Sequence, residues 1–592
     1  MSATGSESLQ PPARAKRPVT HGMSYPRKRA VSACQLCRRR KTKCDNVRPT
    51  CGFCASIGAT CVYQASHTDY SSFDPASLVL LERINHVVAL LESGRAARPE
   101  PATLPDQHTT ADILPDALEI PARCNLSCRV LKWPILQDCG FDPDALDSLF
   151  ALEPETAPPG LERSQGVVEE DIPAHVRRFL TNVHTKNPVV DHRQLTRDAR
   201  HIAEHGLSWN APTCIVVRAQ QSSSDRVRRL ADQAPQLLAC ALGILSQPFR
   251  RTTVSQPREP TADRALADAY YAAARKRIGL LDPSSLSYLQ ARFLSGVYEM
   301  YTLRPLDAWH SFHSACSAMQ LYLQKRAPGN DEIRDLEQRV YWSCLKSECE
   351  LRTEINLASS RIAELRFTEE FPTPPVESVE TPEEFPLEES WYYYLTEISQ
   401  RHILDRIMNA FYAEEDDRRW LDASPEAMVR MASELERQHV LALANLPSWL
   451  RYDEGQPEDC ELPFFLHCRI FYVQECLFRP FLFRVIHSPV PQPPAIQDFA
   501  QRCVEASYNN ARCVTLQHRH HGSWFMGRAA FRCGLSLLAA AHSGKVEMPP
   551  DWRQCVETAL VTTEFWGEEA VDLRKLGRIF RTIYERLSKN VD

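Results

Sequence analysis

Apolar positions recur along most of this chain at intervals of three and four, the period of a helix laid against a core. In TADRALADAYYAAARKRIGLL, Leu266, Tyr270, Ala274, Ile278 and Leu281 fall on one face. AVDLRKLGRIFRTIYERL does the same with Leu573, Leu576, Phe580, Ile583 and Leu587. Longer stretches, 286–323, 331–357, 390–413, 462–486 and 523–542, also read as helix, separated by Pro-rich breaks. The two-residue alternation of strands is scarce. The pattern predicts an all-α body of a dozen or more helices over residues 118–592.

Nearer the start, DPASLVLLERINHVVALLESG (74–94) opens with Asp74 as an N-cap and Pro75 at the first helical position, and Gly94 is a natural stop. Leu80, Ile84, Val87 and Leu91 form a heptad seam of under three heptads. Two readings are open: a short coiled-coil dimerisation helix within 65–94, or an amphipathic helix packed on the chain's own body. Residues 95–117 are Pro-rich and read as linker. The longest apolar runs, such as LLACALGIL (237–245), fall well short of a bilayer span. The opening MSATGSESLQPPARAKRP has no apolar h-region. The expectation is a chain without membrane segments that stays inside the cell.

At 592 residues the chain is too long for one ordinary domain. It has 21 cysteines, which a reducing compartment disfavours as disulfides. Six lie within residues 34–61, and the rest scatter singly and read as small buried hydrophobes. Charge is uneven too. Residues 1–63 hold twelve Lys or Arg against Glu7 and Asp45, a net of +10. With −6 for the whole chain, the remainder carries −16. A basic head on an acidic body is the footprint of a polyanion partner, most simply nucleic acid.

The six cysteines are Cys34, Cys37, Cys44, Cys51, Cys54 and Cys61, a C-x2-C-x6-C unit repeated after six residues. Two C-x2-C pairs in an intracellular protein read as zinc ligands. One zinc would use four thiolates and orphan two, breaking the repeat. Two zincs need eight ligand positions, which six thiolates fill if two bridge, and the equivalent first cysteines, Cys34 and Cys51, are the natural bridges. Cys37 and Cys44 complete one site, and Cys54 and Cys61 the other. The sequence therefore predicts two Zn2+ per chain.

CQLCRRRKTKCDNVRPTCGFCASIGATC resembles the fungal zinc binuclear cluster (Zn2Cys6) DNA-binding domain, in its cysteine spacing, the Arg38, Arg40, Lys41 and Lys43 pattern, Asp45, and Pro49 in the connecting loop. The resemblance implies that the segment after the second cysteine is a short helix entering the major groove, with Lys41 reading a CGG-type triplet. Guanine there offers N7 and O6 to such a donor. Arg38, Arg39, Arg40 and Lys43 are then assigned to phosphates. The basic run also offsets the cluster, since two Zn2+ and six thiolates sum to −2, leaving residues 1–63 near +8. YLQARFLSGVYEMYTLRPLDAWHSFHSACSAMQLYL and EQRVYWSCLKSECELRTE resemble, more loosely, the helical regulatory (middle homology) region of the same regulators, over about 170–375. The acidic companion in the second segment is Glu348 or Glu350.

The resemblance implies a nuclear transcription factor of RNA polymerase II genes, a metabolic or secondary-metabolite gene cluster among its targets. It would bind double-stranded DNA with CGG-type half-sites as a homodimer and work with a coactivator or corepressor. The implied organisation is a disordered basic arm (1–30), the zinc module (31–64), linker and dimerisation helix (65–94), linker (95–117) and helical regulatory domain (118–592). Lys16, Arg17, Arg27, Lys28 and Arg29 form two basic clusters that read as a bipartite nuclear localisation signal, or as an arm touching phosphates.

Other constellations are bland by comparison. His201, Glu204 and His205 fit H-x-x-E-H, a metal-dependent hydrolase pattern, yet His205 precedes Gly206, where a helix C-terminus suits both. His310, His313 and Cys316 stand three apart and spread around a helix, and HRHH (518–521) reads as a polar turn. The run 369–390 has eight Glu and no Lys or Arg among Phe, Val and Leu, an exposed acidic loop or a coactivator-docking segment. No Gly-rich phosphate loop, G-x-S-x-G or kinase motif set is present, so the chain is not expected to be an enzyme. Two rivals stand beside the preferred reading: a hydrolase with an appended DNA-binding head, and a protein-binding zinc module.

Overall fold

A computed structural model of the chain describes residues 35–40, 42, 44–45, 50–61, 124–151, 166–207, 234–256, 263–326, 334–365, 372, 387–444, 446–452 and 460–588. The basic arm, the segment 74–94 expected to be a helix and most of the acidic run 369–390 lie outside the described residues. The chain divides into two compact units, Met1–Glu82 and Arg83–Asp592. Among its described residues the smaller holds two short helices, α1 (Gln35–Arg40) and α2 (Gly52–Ser56).

The described residues of the larger unit are mainly helical, and the β pairing among them is one isolated bridge between Thr253 and Leu516. The α-helices among its described residues are α3 (Leu126–Arg129), α4 (Pro134–Gln137), α5 (Ile172–Phe179), α6 (His192–His205), α7 (Ala234–Leu245), α8 (Arg264–Ile278), α9 (Leu286–Tyr301) and α10 (Pro305–Lys325). There follow α11 (Arg334–Glu354), α12 (Leu387–Phe411), α13 (Arg419–Asp422), α14 (Pro425–Ala444), α15 (Glu461–His487), α16 (Pro494–Cys513), α17 (Ser523–Ser543), α18 (Trp552–Gly567) and α19 (Val571–Ser588). Chain neighbours pack on one another, α9 on α10, α15 on α16, α17 on α18 and α18 on α19, while α7 beds against α5 and α8. Gly243 permits the α5–α7 approach, since a Cβ there would lie 2.0 Å from the His175 carbonyl oxygen.

The five apolar positions expected on the last helix, Leu573, Leu576, Phe580, Ile583 and Leu587, are all buried. On α8, Tyr270, Ala274 and Ile278 are buried, as is Leu281 beyond its end, while Leu266 is partly exposed. The stretch 286–323 is two helices rather than one. Leu303 takes a left-handed φ of 56°, and Pro305 starts α10 at a position where its missing N–H costs nothing. A proline does sit inside α15: Pro480 leaves the carbonyl of Cys476 without its helical donor, and the Tyr412 hydroxyl donates to that oxygen at 2.7 Å.

Burial of charge organises the centre of this unit. Arg479 pairs with Glu475 (Nε–Oε1 2.7 Å), and Arg532 joins Glu475 (2.9 Å) to Glu354 (3.1 Å). Arg528 joins Glu354 (3.0 Å) to Asp572 (3.2 Å). Three arginines thus meet three carboxylates, each at most 3% exposed, with no net charge. The cluster grips the first described segment of the unit: Ser127 Oγ accepts from Arg532 (3.1 Å), the Leu126 carbonyl from Arg479 (3.2 Å), and Asn125 Oδ1 from Arg528 (3.2 Å). A second group joins Arg469 to Glu350 (2.6 Å) and Glu397 (3.0 Å), and Arg401 to Glu350 (3.2 Å).

Asp405 on α12 behaves differently. Its carboxylate is buried and neither oxygen has a hydrogen-bond partner. It lines a cavity of about 10 Å³ with Trp342, Lys346, Arg401 and His402. Burial pushes its pKa from 3.8 up to about 7, against the pull of Arg401 and Arg352. His402 beside it is pushed down to about 4, chiefly by burial and also by Arg406.

Candidate zinc centre and nucleic-acid interface

The two halves of the cysteine repeat fold alike. The Thr42 amide donates to the Cys37 carbonyl at 3.0 Å, and the Ala59 amide, at the equivalent place, to the Cys54 carbonyl at 3.0 Å. Each half is a short helix whose chain turns back toward the next cysteine, and Gly58 supports its turn with a φ of 62°. Thiols fill the space between. Cys37, Cys51 and Cys54 are fully buried, with Cys44, Cys61, Leu36 and Phe53 packed against them. Leu36 and Phe53 are equivalent positions of the repeat, so each half contributes one apolar side chain to shield the sulfurs.

Two groups of thiols converge, Cys37 with Cys44 and Cys51, and Cys51 with Cys54 and Cys61, the sulfurs of each lying within 4.8 Å of one another. Cys51 belongs to both. The Cys37 and Cys51 sulfurs are 3.7 Å apart, and a tetrahedral zinc with Zn–S near 2.3 Å sets two ligand sulfurs about 3.8 Å apart. The donor set and spacing therefore fit zinc. Backbone amides orient two of the sulfurs: Cys51 N–H donates to Cys61 Sγ (3.3 Å), and Cys54 N–H to Cys51 Sγ (3.4 Å). Cys34, Lys41 and Lys43 lie outside the described residues, as do the side chains of Arg38 and Arg39. Arg40 is exposed at the end of α1.

Asp45 was marked in the sequence only by its place after the third cysteine. In the structure both its carboxylate oxygens accept from the Gly52 amide at 3.0 Å. The signal for this contact is an acid six residues before a C-G dipeptide, too short a pattern to read unaided.

The rival constellations take ordinary structural places. His201 and His205 stack on one exposed face of α6 with ring centroids 4.4 Å apart. His205 Nδ1 faces the His201 carbonyl (3.1 Å), and Gly206 ends the helix with a φ of 80°. Among the described residues, the groups able to hold a metal are the two thiol groups alone. His313 meets Glu348 (3.1 Å), which also accepts from Ser360, while Cys316 is buried and His310 exposed, so this trio does spread around its helix. Of the two acidic companions, Glu348 thus serves His313 and Ser360, and Glu350 serves Arg469 and Arg401. The HRHH segment is not simply a polar turn. His518 and His520 are buried, His518 near Glu461 (3.4 Å), which also pairs with Lys186 from far earlier in the chain.

Among the described residues, no helix is long and apolar enough to cross a membrane. No solved structure matches the chain. The fungal Zn(2)-Cys(6) binuclear cluster domain matches residues 32–70. The sorbicillinoid biosynthetic cluster transcription factor 1 of Penicillium rubens is 56% identical over 36 residues, 6% of either chain. The transcription factor FBD3 of Fusarium pseudograminearum is 43% identical over 49 residues, 8% of this chain and 6% of its own. The oleate-activated transcription factor 1 of Saccharomyces cerevisiae is 50% identical over 40 residues, 7% of this chain and 4% of its own. The matched part thus spans about one-twentieth of these relatives' length. The chain carries the fungal Zn(2)-Cys(6) binuclear cluster domain and shares it with fungal transcription factors.

Proposed function

We propose that this chain is a nuclear, sequence-specific transcription factor whose cysteine module binds two Zn2+ and reads CGG-type half-sites in double-stranded DNA. The observation that carries the reading is the shared thiol: Cys51 lies in both convergent groups, which is what two metals bound by six thiolates require. Cys34 is the second bridge, Cys37 and Cys44 complete one site, and Cys54 and Cys61 the other. When bound, zinc supplies a fixed, closed scaffold that holds α1 against the rest of the module. The chain's own residues do the recognition. Lys41 donates to guanine N7 and O6, while Arg38, Arg39, Arg40 and Lys43 neutralise phosphates.

In this proposal Lys16, Arg17, Arg27, Lys28 and Arg29 direct nuclear import, the helix at 75–94 makes a homodimer, and the helical unit regulates through a coactivator or corepressor. The target genes are a metabolic or secondary-metabolite cluster of RNA polymerase II genes. A relative is named for such a cluster, which supports this choice of target class.

The test separates two kinds of positive charge on the full chain. Lys41→Ala lowers affinity for a CGG-type site by about 1–3 kcal/mol and relaxes the preference for it over a scrambled site. Arg39→Ala weakens both probes alike and reduces the salt slope by about one. Both variants are first shown to keep two zincs. If Lys41→Ala weakens both probes equally while Arg39→Ala abolishes discrimination, the assignment is wrong.

A further inference from the structure

Besides the thiols, an aspartate joins the two halves of the zinc module. Asp45 directly follows Cys44, and Gly52, whose amide it binds, directly follows Cys51. The contact therefore joins the backbone beside the last thiol of the first half to the backbone beside the thiol shared by both groups. Gly52 suits this contact: a Cβ there would lie 2.5 Å from Asp45 Oδ2. The equivalent residue of the first half, Gln35, has a full side chain, so the repeat departs from itself at this position.

What the contact holds is a short run of donors. The amides of Cys51, Gly52 and Cys54 point to Cys61 Sγ, the Asp45 carboxylate and Cys51 Sγ. Two of the three orient sulfurs, and the middle one is fixed from outside the turn by Asp45. If Gly52 is free to swing, the Cys51 and Cys61 sulfurs lose their common reference. Groups that orient metal ligands in this indirect way tune how firmly the metal is held.

We propose that Asp45 is a positioning residue for the zinc centre, holding the 51–54 turn through its acceptor oxygen and slowing metal release. The proposal rests on the zinc reading above and concerns the chain's own residues. It is tested with the full chain by counting bound zinc and following its transfer to a chromogenic chelator, with the thermal unfolding of the helical unit as control.

Asp45→Ala should release zinc about tenfold faster, with the helical unit's melting unchanged. Asp45→Asn keeps a carbonyl oxygen for the Gly52 amide and should stay within about twofold of wild type. Gly52→Ala, which drives the carboxylate off, should match Asp45→Ala, and the double variant should be no faster than either, because all three remove one contact. Wild-type release from Asp45→Ala overturns the proposal. So does an Asn variant as fast as the Ala one, which would make charge the agent, or a double variant with multiplied rates. A wild-type chain that carries no zinc overturns the functional reading itself, and this proposal with it.

Discussion

Replacing Asp405 with Asn offers a direct measure of what burying an unpartnered carboxylate costs this fold. A rise in pKa from 3.8 to about 7 corresponds to roughly 4 kcal/mol lost when the folded protein must hold the anion. The sign follows from proton counts. Between those values the folded chain keeps a proton that the unfolded chain has released, so the contribution of Asp405 to stability is complete below pH 4 and is lost as pH rises to about 7. Asn has nearly the same shape and no such proton. Its advantage over wild type should be about 2 kcal/mol larger at pH 8 than near pH 5.5. Any fixed cost of the amide cancels in that comparison, and so does the opposite titration of His402, which both proteins share. The assay is urea denaturation of the full chain, followed by far-ultraviolet circular dichroism at the two pH values. An advantage that does not change with pH, or a variant less stable at pH 8, would show that Arg401 or Lys346 holds the carboxylate as a satisfied anion.

Three further expectations can be checked on the same protein. Arg532→Met strands Glu475 and Glu354 with one arginine each and leaves the cluster at −1, so it should cost about 3–5 kcal/mol in urea denaturation, with a loss under 1 kcal/mol refuting it. Cys51→Ser should empty both metal positions by elemental analysis, because both thiol groups use that sulfur; one zinc retained would show that it is not shared. Deleting residues 75–94 should weaken binding to a paired DNA site far more than to a single half-site, through lost effective concentration, whereas equal losses would place the helix elsewhere.

The parts of this molecule that the sequence announced are those set by local spacing. Cysteines at fixed intervals can converge in few ways, and Leu573, Leu576, Phe580, Ile583 and Leu587 repeat with the helical period that buries them. Arg479, Arg528 and Arg532 carry no such mark. Charged side chains read as surface, and their carboxylate partners lie on helices 44 to 178 residues away, except for Glu475, four residues before Arg479. His518 and His520 read as polar turn for the same reason, since what encloses them comes from elsewhere in the chain, Glu461 and Phe249 against His518 and Phe465 against His520. The break at Leu303 was hidden because an apolar residue rarely takes a left-handed φ, while Pro305 alone is equally at home beginning a helix.

The neutral six-charge cluster also constrains how this sequence can drift. Any single exchange that removes one charge among Arg479, Arg528, Arg532, Glu354, Glu475 and Asp572 leaves a net charge in a site almost closed to solvent. Replacing an arginine together with an acid by apolar groups of similar volume restores neutrality and can cost little. Viable histories must therefore change these positions in concert or through a compensated intermediate. Orthologues should show correlated substitutions linking position 354 to 528 and 532, and 475 to 479 and 532, across distances in the chain that no local pattern spans.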